Sequence, residues 1–258
     1  MSFLEILLIV AGSAVALAYV VGITKAIVDT RLNHRLSVNS TLDACESVDV
    51  PPDVGRLADE IVALGFRVRG YWKHCGHSHS TGHIALLEHP KTLDVAKVFV
   101  VLAGDFREVT VGFGSRFADG SEIVSVNNPM KSAFPGLPHR TTLWLPKVRD
   151  PRLLYRTHEL LRNALSLDKR RLSVGQDALA YLTEEQKRVR AHMVETGYYS
   201  LDESCGVYRF TWKAAVLATA KHSLPFSPIY EAWHRRASLN LLRRLGIHVE
   251  PDFGREKE

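Results

Sequence analysis

The sequence predicts an α+β protein with an N-terminal transmembrane helix, followed by an antiparallel β-meander packed with helices and a helical C-terminal part. Three observations support this fold class. The chain begins with a long uncharged run, six short strand-like runs follow between Phe66 and Trp144, and helical periodicity returns after Trp144. We expect four regions: an anchor (1–24), a juxtamembrane linker (25–52), an α+β sheet domain (53–166) and a mainly helical part (167–258), the last forming either the same domain or a separate one.

The anchor prediction rests on the run from Ile6 to Thr24, which contains nineteen residues without a charge. As a helix it would extend about 28 Å, close to the roughly 30 Å thickness of the hydrocarbon core of a bilayer. The alternative is a cleaved signal peptide, which needs a positively charged start. Glu5 is the only charged side chain before the run, so the sequence favours a retained, single-pass anchor.

The charges beside the run predict its orientation. Lys25 and Arg31 follow it, and no basic side chain precedes it. Since Lys and Arg near a membrane segment are retained on the cytoplasmic side, we expect the N-terminus outside and the folded domain in the cytoplasm. The cysteines are compatible with a reducing compartment, because they are odd in number and far apart: Cys45, Cys75 and Cys205.

The anchor also predicts two kinds of partner. Residues 6–24 would contact the lipid bilayer. Ala14, Ala18 and Gly22 are spaced four apart and so fall on one face of the helix. Small residues let two helices approach closely, so this face predicts contact with a protein partner or with a second copy of the chain.

The sheet domain is expected to begin with a short helix and continue as strands. The helix would start at Asp53, after two prolines, and end at Gly65. The strand-like runs are FRVRGYW, HIALLEH, VAKVFVVLA, EVTVGFGSRF, EIVSVNN and TTLWL. Asp119-Gly120 predicts a tight hairpin turn, because Gly accepts positive φ. The connections are too short for helical crossovers, which favours antiparallel pairing throughout.

Three helices are predicted after Trp144. Asp150-Pro151 is an N-cap and first-turn pair, and the apolar side chains that follow predict a helix that closes the open face of the sheet. The capping-box pattern at residues 183–186 begins a second helix, which would end at Gly197. A third, polar and basic helix is expected from Pro228 to Leu245.

A cluster of histidines and one cysteine predicts a metal site between two strands. Imidazole and thiolate groups bind zinc, copper and nickel, and a loop would bring several of them around one ion. The alternative is a solvated hairpin loop, since the spacing matches no complete metal signature. The candidate ligands are His74, Cys75, His77, His79 and His83.

The last predicted helix carries a candidate membrane-surface site. Residues 205–258 contain nine Lys and Arg against five Asp and Glu, so the C-terminal end is the basic part of the chain. A basic amphipathic helix with Trp either lies on an anionic bilayer or packs on its own domain. Nucleic acid is disfavoured as a partner, because a tethered basic domain has a simpler one in the membrane. The candidate residues are Trp233, Arg235, Arg236, Arg243 and Arg244.

The sequence predicts binding rather than catalysis. No complete catalytic or cofactor motif is found, and Gly112-Phe113-Gly114 lacks the third glycine of a phosphate-binding loop. The leading hypothesis is a non-enzymatic domain that binds another protein or a membrane surface. One alternative is a metal-binding sensor or hydrolase that uses residues 74–83. The other is a small-ligand-binding domain with a pocket between the sheet and the helix after Asp150.

Overall fold

A computed structural model describes residues 3–37, 41–77, 80–129, 132–166, 168–224 and 226–248. The fold class α+β is confirmed, with helices packed around two β-sheets. The helices are α1 (Phe3–Asn33), α2 (Pro52–Val62), α3 (Pro151–Ser166), α4 (Ala178–Glu195), α5 (Trp212–His222) and α6 (Phe226–Arg244), with a short 3₁₀ helix at Ser47–Asp49. The strands are β1 (Arg35–Ser37), β2 (Thr41–Cys45), β3 (Arg67–His77), β4 (Ser80–Glu88), β5 (Val95–Ala103), β6 (Phe106–Arg116), β7 (Glu122–Val126), β8 (Arg140–Trp144), β9 (Tyr199–Asp202) and β10 (Val207–Phe210).

The large sheet has seven strands in the order β2-β3-β4-β5-β6-β7-β8. Strands β3 to β7 pair antiparallel with their neighbours, as predicted. β2, which lies in the predicted linker, also pairs antiparallel with β3. The hairpin turn between β6 and β7 is confirmed: the Ser121 amide donates to Asp119 Oδ1 at 2.9 Å, and Gly120 has φ of 82°. The prediction of a wholly antiparallel sheet is wrong for the last pair. The chain crosses back between β7 and β8, so β8 lies parallel to β7.

One face of this sheet, which we call the first face, carries a filled hydrophobic core. Helices α2 and α3 pack on it, and the end of α6 contributes Leu242. Phe113 of β6 and Leu154 and Leu161 of α3 are all fully buried. The helix after Asp150 therefore closes this face as predicted, and the pocket expected between that helix and the sheet is absent from the residues that the structure describes.

The opposite face, which we call the second face, is covered only in part. Ala178 and Leu182 at the start of α4 pack against Trp72, Leu86 and Val95 of the sheet. Helix α4 begins at Asp177, whose side chain accepts from the Ala180 amide, which is earlier than the predicted capping box. The rest of the face stays open beneath α4.

A second, three-stranded sheet of order β1-β10-β9 links the two ends of the chain. β1 comes directly after α1, and it pairs antiparallel with β10 of the C-terminal part. β1 was not expected, because residues 25–52 were predicted to form a linker. Cys45 at the end of β2 and Cys205 between β9 and β10 are free thiols.

The predicted membrane anchor is contradicted. Across the described residues, no helix combines the length and the apolar character that crossing a membrane requires. Helix α1 is 31 residues long and continues through Lys25 and Arg31, where its second half packs along α5. Thr30 and Thr219 approach at 3.5 Å, and the Arg31 guanidinium lies 5.8 Å from the ring centroid of Trp212. Four other predictions depended on this anchor and are contradicted with it. They are the transmembrane helix of the fold class, the single-pass membrane localisation, the N-terminus outside and the folded domain in the cytoplasm.

The small-residue face of α1 keeps its status as a prediction. Ala18 and Gly22 are exposed, and a Cβ atom added at Gly22 would meet no atom within 4 Å. The side chain of Ala14 lies outside the described part of the structure. A contact with a second copy of the chain stays an expectation from the sequence.

Candidate functional site

The histidine cluster does not form a loop around one point. Its residues belong to the β3-β4 hairpin, in which His74 pairs with Gly82 and His83 pairs with Lys73. Neighbouring residues of a strand point to opposite faces, so the side chains of His74 and His83 lie on opposite sides of the sheet. His74 borders the second face, whereas His83 is buried on the first. Burial, helped by the charge of Lys73, lowers the pKa of His83.

The remaining predicted ligands add no metal site to the described structure. Cys75 and His77 lie in β3, but their side chains are outside the described part, and so is all of His79. Among the residues that are described, no group of three or more His, Cys, Asp or Glu side chains is placed to hold a metal ion. A site that joins His74 to His83 is excluded by the sheet that separates them.

The predicted membrane-surface residues all lie on α6 with exposed side chains: Trp233, Arg235, Arg236, Arg243 and Arg244. The other side of the helix is buried through Leu242 and Ser238, whose hydroxyl accepts from the Trp144 amide at 3.0 Å. The helix therefore packs on its own domain while its arginines face solvent. Contact of this surface with a membrane stays a prediction.

The described residues enclose a cavity of about 720 Å³ between the second face of the sheet and α4. Two glycines of β6, Gly112 and Gly114, form part of its floor. A Cβ atom added at either would lie 3.7 or 3.8 Å from the nearest backbone oxygen, an ordinary contact distance, and neither residue has a left-handed φ. The backbone therefore does not require glycine here. The missing side chains leave space above the strand.

Most of the cavity wall is apolar. The strands contribute alternating side chains that point to the second face, as the two-residue period of a strand requires. Helix α4 contributes side chains one turn or two turns apart, which places them on one helix face. The apolar lining residues include Val95, Phe99, Val101, Val124, Val126, Leu182 and Val189.

One side of the cavity is lined by a row of charged residues across three strands. Arg116, Glu122 and Arg140 are direct cross-strand neighbours on β6, β7 and β8. Glu122 is 5% exposed and accepts from Arg140 Nε at 2.7 Å and from Arg188 Nη2 of α4 at 2.7 Å. Burial raises the pKa of Glu122, but the charges of Arg140 and Arg188 outweigh it and hold that pKa below its ordinary value.

A second carboxylate attaches α4 to this row. Glu185 pairs with Lys97 of β5, and its Oε1 accepts from Arg140 Nη2 at 3.1 Å. Burial opposes ionisation of Glu185, but the nearby Lys97 and Arg140 lower its pKa to about 2. The ring of Tyr181 lies between Lys97 and Arg116, whose charged groups are 5.4 and 5.1 Å from its centroid. These contacts fix the helix to the sheet by charge as well as by apolar packing.

Arg190 brings one more cation to the cavity. It lies one turn beyond Gln186 on α4 and is only 8% exposed. Its contacts include Gln186 Oε1, 3.3 Å from Nη2, and the ring of Tyr208, whose centroid is 5.9 Å from its Cζ. Burial lowers the pKa of Arg190. Since an arginine stays protonated over the physiological range, this is a buried positive charge at the cavity wall.

A buried Ser-His-Asp group on the first face has a different role. Ser115 Oγ donates to Asp94 Oδ1 at 2.6 Å, so it accepts from His158 Nε2 at 2.9 Å. Because the imidazole is neutral near pH 7, its Nδ1 accepts from Ser125 Oγ at 3.1 Å. Burial lowers the pKa of His158 to about 4.

This arrangement is structural rather than catalytic. The serine is bonded directly to the aspartate, whereas a nucleophilic serine needs the histidine as its base and the aspartate behind it. Ser115 is 1% exposed, and His158 and Asp94 are fully buried. Asp94 also accepts from Arg162 of α3. The group therefore joins α3 to the sheet through hydrogen bonds inside the core.

Sequence reasoning missed the cavity and its charged wall. Lys97, Arg116 and Glu122 alternate with apolar residues in their strands, a pattern that is typical of a solvent-facing side. The usable signal was the pair Gly112 and Gly114 on the same face, since glycine weakens a strand and marks close approach or open space. No family model matches the chain, and no curated protein or solved structure is found to resemble it.

Proposed function

We propose that this protein binds a small amphipathic molecule in the cavity between the second face of the sheet and α4. The observation that carries the proposal is the cavity itself: about 720 Å³, with a glycine floor, an apolar wall and one charged side. Binding sites for small molecules are typically concave and mostly apolar, of about 300–1,000 Å³, with a few polar groups that orient the ligand. Both features are present here.

The charged residues support binding over acid–base catalysis. Catalytic acids and bases work best when their pKa lies near the operating pH. The pKa of Glu122 is below its ordinary value, and that of Glu185 is about 2, so both stay ionised at neutral pH. Glu122 is also engaged by three arginines, and Glu185 by one lysine and one arginine. A carboxylate held in this way positions its partners and is a poor proton donor or acceptor.

The test is to fill the cavity without disturbing the fold. Gly112→Leu places a side chain over the floor of the cavity, where the backbone accepts it. Gly136→Leu is the matched control, because a Cβ atom there would meet no atom within 4 Å and the residue does not line the cavity. The measurement is the fluorescence of a neutral apolar dye, N-phenyl-1-naphthylamine, titrated with each protein.

We expect saturable binding of about one dye per chain in the parent and in Gly136→Leu. In Gly112→Leu the affinity should fall by about tenfold or more, because the side chain occupies ligand volume. Equal dye binding in the two variants, or no saturable binding in the parent, would show that the cavity is not a ligand site.

The interaction hypothesis from the sequence stays a second candidate. Exposed large apolar side chains gather on α5, α6 and the segment between them: Trp212, Leu224, Phe226, Ile229 and Trp233. Tyr19 of α1 donates to the Leu224 carbonyl, so α1 lies beside this surface. Extended apolar patches on a folded domain favour contact with another molecule.

A further inference from the structure

The charged groups of the cavity are unbalanced. Among the described residues that line it, four are cationic, Lys97, Arg116, Arg140 and Arg190, and two are carboxylates, Glu122 and Glu185. In a one-for-one count the lining therefore carries a surplus of two positive charges. The neighbouring Arg188 also contacts Glu122, which adds to the positive side. Charges that face a largely apolar space are poorly solvated, so a ligand that neutralises them gains affinity.

The two carboxylates have little left to offer a positively charged ligand. Glu122 Oε1 accepts from Arg188 and lies 3.3 Å from Arg116 Nε, while its Oε2 lies 2.6–2.7 Å from Arg140 nitrogens. Both oxygens of Glu185 are engaged as well, by Lys97 and Arg140. A ligand cation would have to displace one of these contacts. A ligand anion would add acceptors where donors are already in excess.

From this charge surplus, and resting on the proposed binding function, we infer that the ligand is a long-chain carboxylate whose head group binds Arg190. Arg190 is the most buried of the four lining cations, and it adjoins the apolar Val189 on α4. A guanidinium presents two parallel N–H groups to a carboxylate, which gives both strength and orientation. The apolar chain then lies over Gly112, between Phe99 and Val126, where no side chain rises from the strand.

The experiment compares three probes with the same twelve-carbon chain and different head groups. Dodecanoate, dodecanol and dodecylammonium each compete with N-phenyl-1-naphthylamine for the full-length protein. We expect dodecanoate to bind about tenfold or more tightly than the other two, since a hydrogen bond to a charged group contributes about 1.5–3 kcal/mol. This ranking in the unmodified protein tests the inference without any substitution.

Substitutions then test the assignment to Arg190. Arg190→Gln should lose the preference for dodecanoate while keeping the affinity for dodecanol, and Arg190→Lys should keep part of the preference. Arg243→Gln is the control, because Arg243 is exposed on α6 and outside the cavity. Circular dichroism confirms that each variant is folded.

The outcomes separate the two proposals. If dye binding is absent and none of the three probes binds, the proposed function itself fails. If the three probes bind equally, or dodecylammonium binds most tightly, the cavity is a ligand site but the inferred carboxylate is wrong. If dodecanoate is preferred and folded Arg190→Gln keeps the full preference, the head group binds another cation and the assignment to Arg190 is overturned.

Discussion

Adding a side chain at Gly112 should stabilise this protein, whereas adding one at Gly82 should destabilise it. Both glycines lie in strands of the large sheet and border the same cavity. A Cβ atom at Gly112 would be 3.7 Å from its nearest neighbour. At Gly82 it would be 2.9 Å from the ring of Phe99 and 3.3 Å from Cβ of His74. The two positions thus lie in strands of the same sheet, β4 and β6, and on the same face, but differ in available space.

The expected magnitudes follow from these distances. Replacing a strand glycine removes about 0.5–1 kcal/mol of unfavourable chain entropy, and valine adds a preference for strands of similar size. Gly112→Val should therefore raise the free energy of unfolding by about 1 kcal/mol. At Gly82 the same gain is opposed by overpacking against Phe99 and His74, which costs about 1–3 kcal/mol. Set against the gain of about 1 kcal/mol, this cost means that Gly82→Val should lower the free energy of unfolding by up to about 2 kcal/mol.

Urea unfolding followed by far-ultraviolet circular dichroism measures both variants. The slope with denaturant should stay constant, so the midpoints report the change in stability directly. If Gly112→Val proves as destabilising as Gly82→Val, the space above Gly112 is not open and the cavity is smaller than the structure shows. The ligand argument would then lose its basis.

Three further predictions concern charged and capping groups. The pKa of His158 is about 4 in the folded state and near 6.5 when unfolded, so protons bind the unfolded chain first. Through His158, the free energy of unfolding should fall by about 3 kcal/mol as the pH drops from 6.5 to 4. His158→Gln should remove this part of the pH dependence, and a profile that the substitution leaves unchanged would contradict the assignment. Glu185→Gln removes a partner of Lys97 and Arg140, so the free energy of unfolding, measured with urea, should fall by about 1–2 kcal/mol. The affinity for dodecanoate should rise, and a lower affinity would count against an anionic ligand. Asp177→Ala removes the N-cap of α4 and should lower the free energy of unfolding by about 1 kcal/mol, again measured with urea. Asp168→Ala is the control, because it removes an exposed aspartate that does not cap α4.

The strands of the large sheet were predictable because their pattern is local. The apolar, β-branched run VAKVFVVLA forms β5, and the turn at Asp119-Gly120 fixes where β6 reverses into β7. The direction of β8 was not predictable in this way. It depends on the path of the chain between β7 and β8, and a five-residue strand has the same pattern whichever way it runs. β2 was missed for a related reason, since TLDAC is too short and too polar to be separated from a linker.

The first residues show a different limit of sequence reasoning. An uncharged run predicts an anchor through its composition alone, but composition does not reveal how far a helix extends or what it packs against. Here α1 continues into charged residues and packs along α5 near Thr219, a residue 189 positions away from its partner Thr30. Long-range packing of this kind leaves no signal within the run itself.

The histidine cluster failed for a reason that lies within the strand geometry. Five ligand-type residues in ten positions indicate a metal site only if a loop lets their side chains converge. A hairpin instead sends His74 and His83 to opposite faces, because they occupy positions of opposite parity relative to the pairing of β3 with β4. Density of ligands in the sequence was therefore the wrong measure. Which side chains meet depends on the face of the sheet to which each residue of the strand points.

The same sheet supports stability on one face and leaves space for a ligand on the other, and the difference comes from how each helix is attached. On the first face, α3 packs through fully buried Leu154 and Leu161 and through the hydrogen bonds of His158, which leaves no space. On the second face, α4 packs closely through Ala178 and Leu182 at its start and is then held by Glu185 through ion pairs. Long charged side chains keep the helix farther from the strands than interdigitated apolar ones do. Where those strands carry glycine, no side chain fills the space between strand and helix, and a cavity remains. Substitutions on the first face should therefore change stability, and those on the second face should change binding.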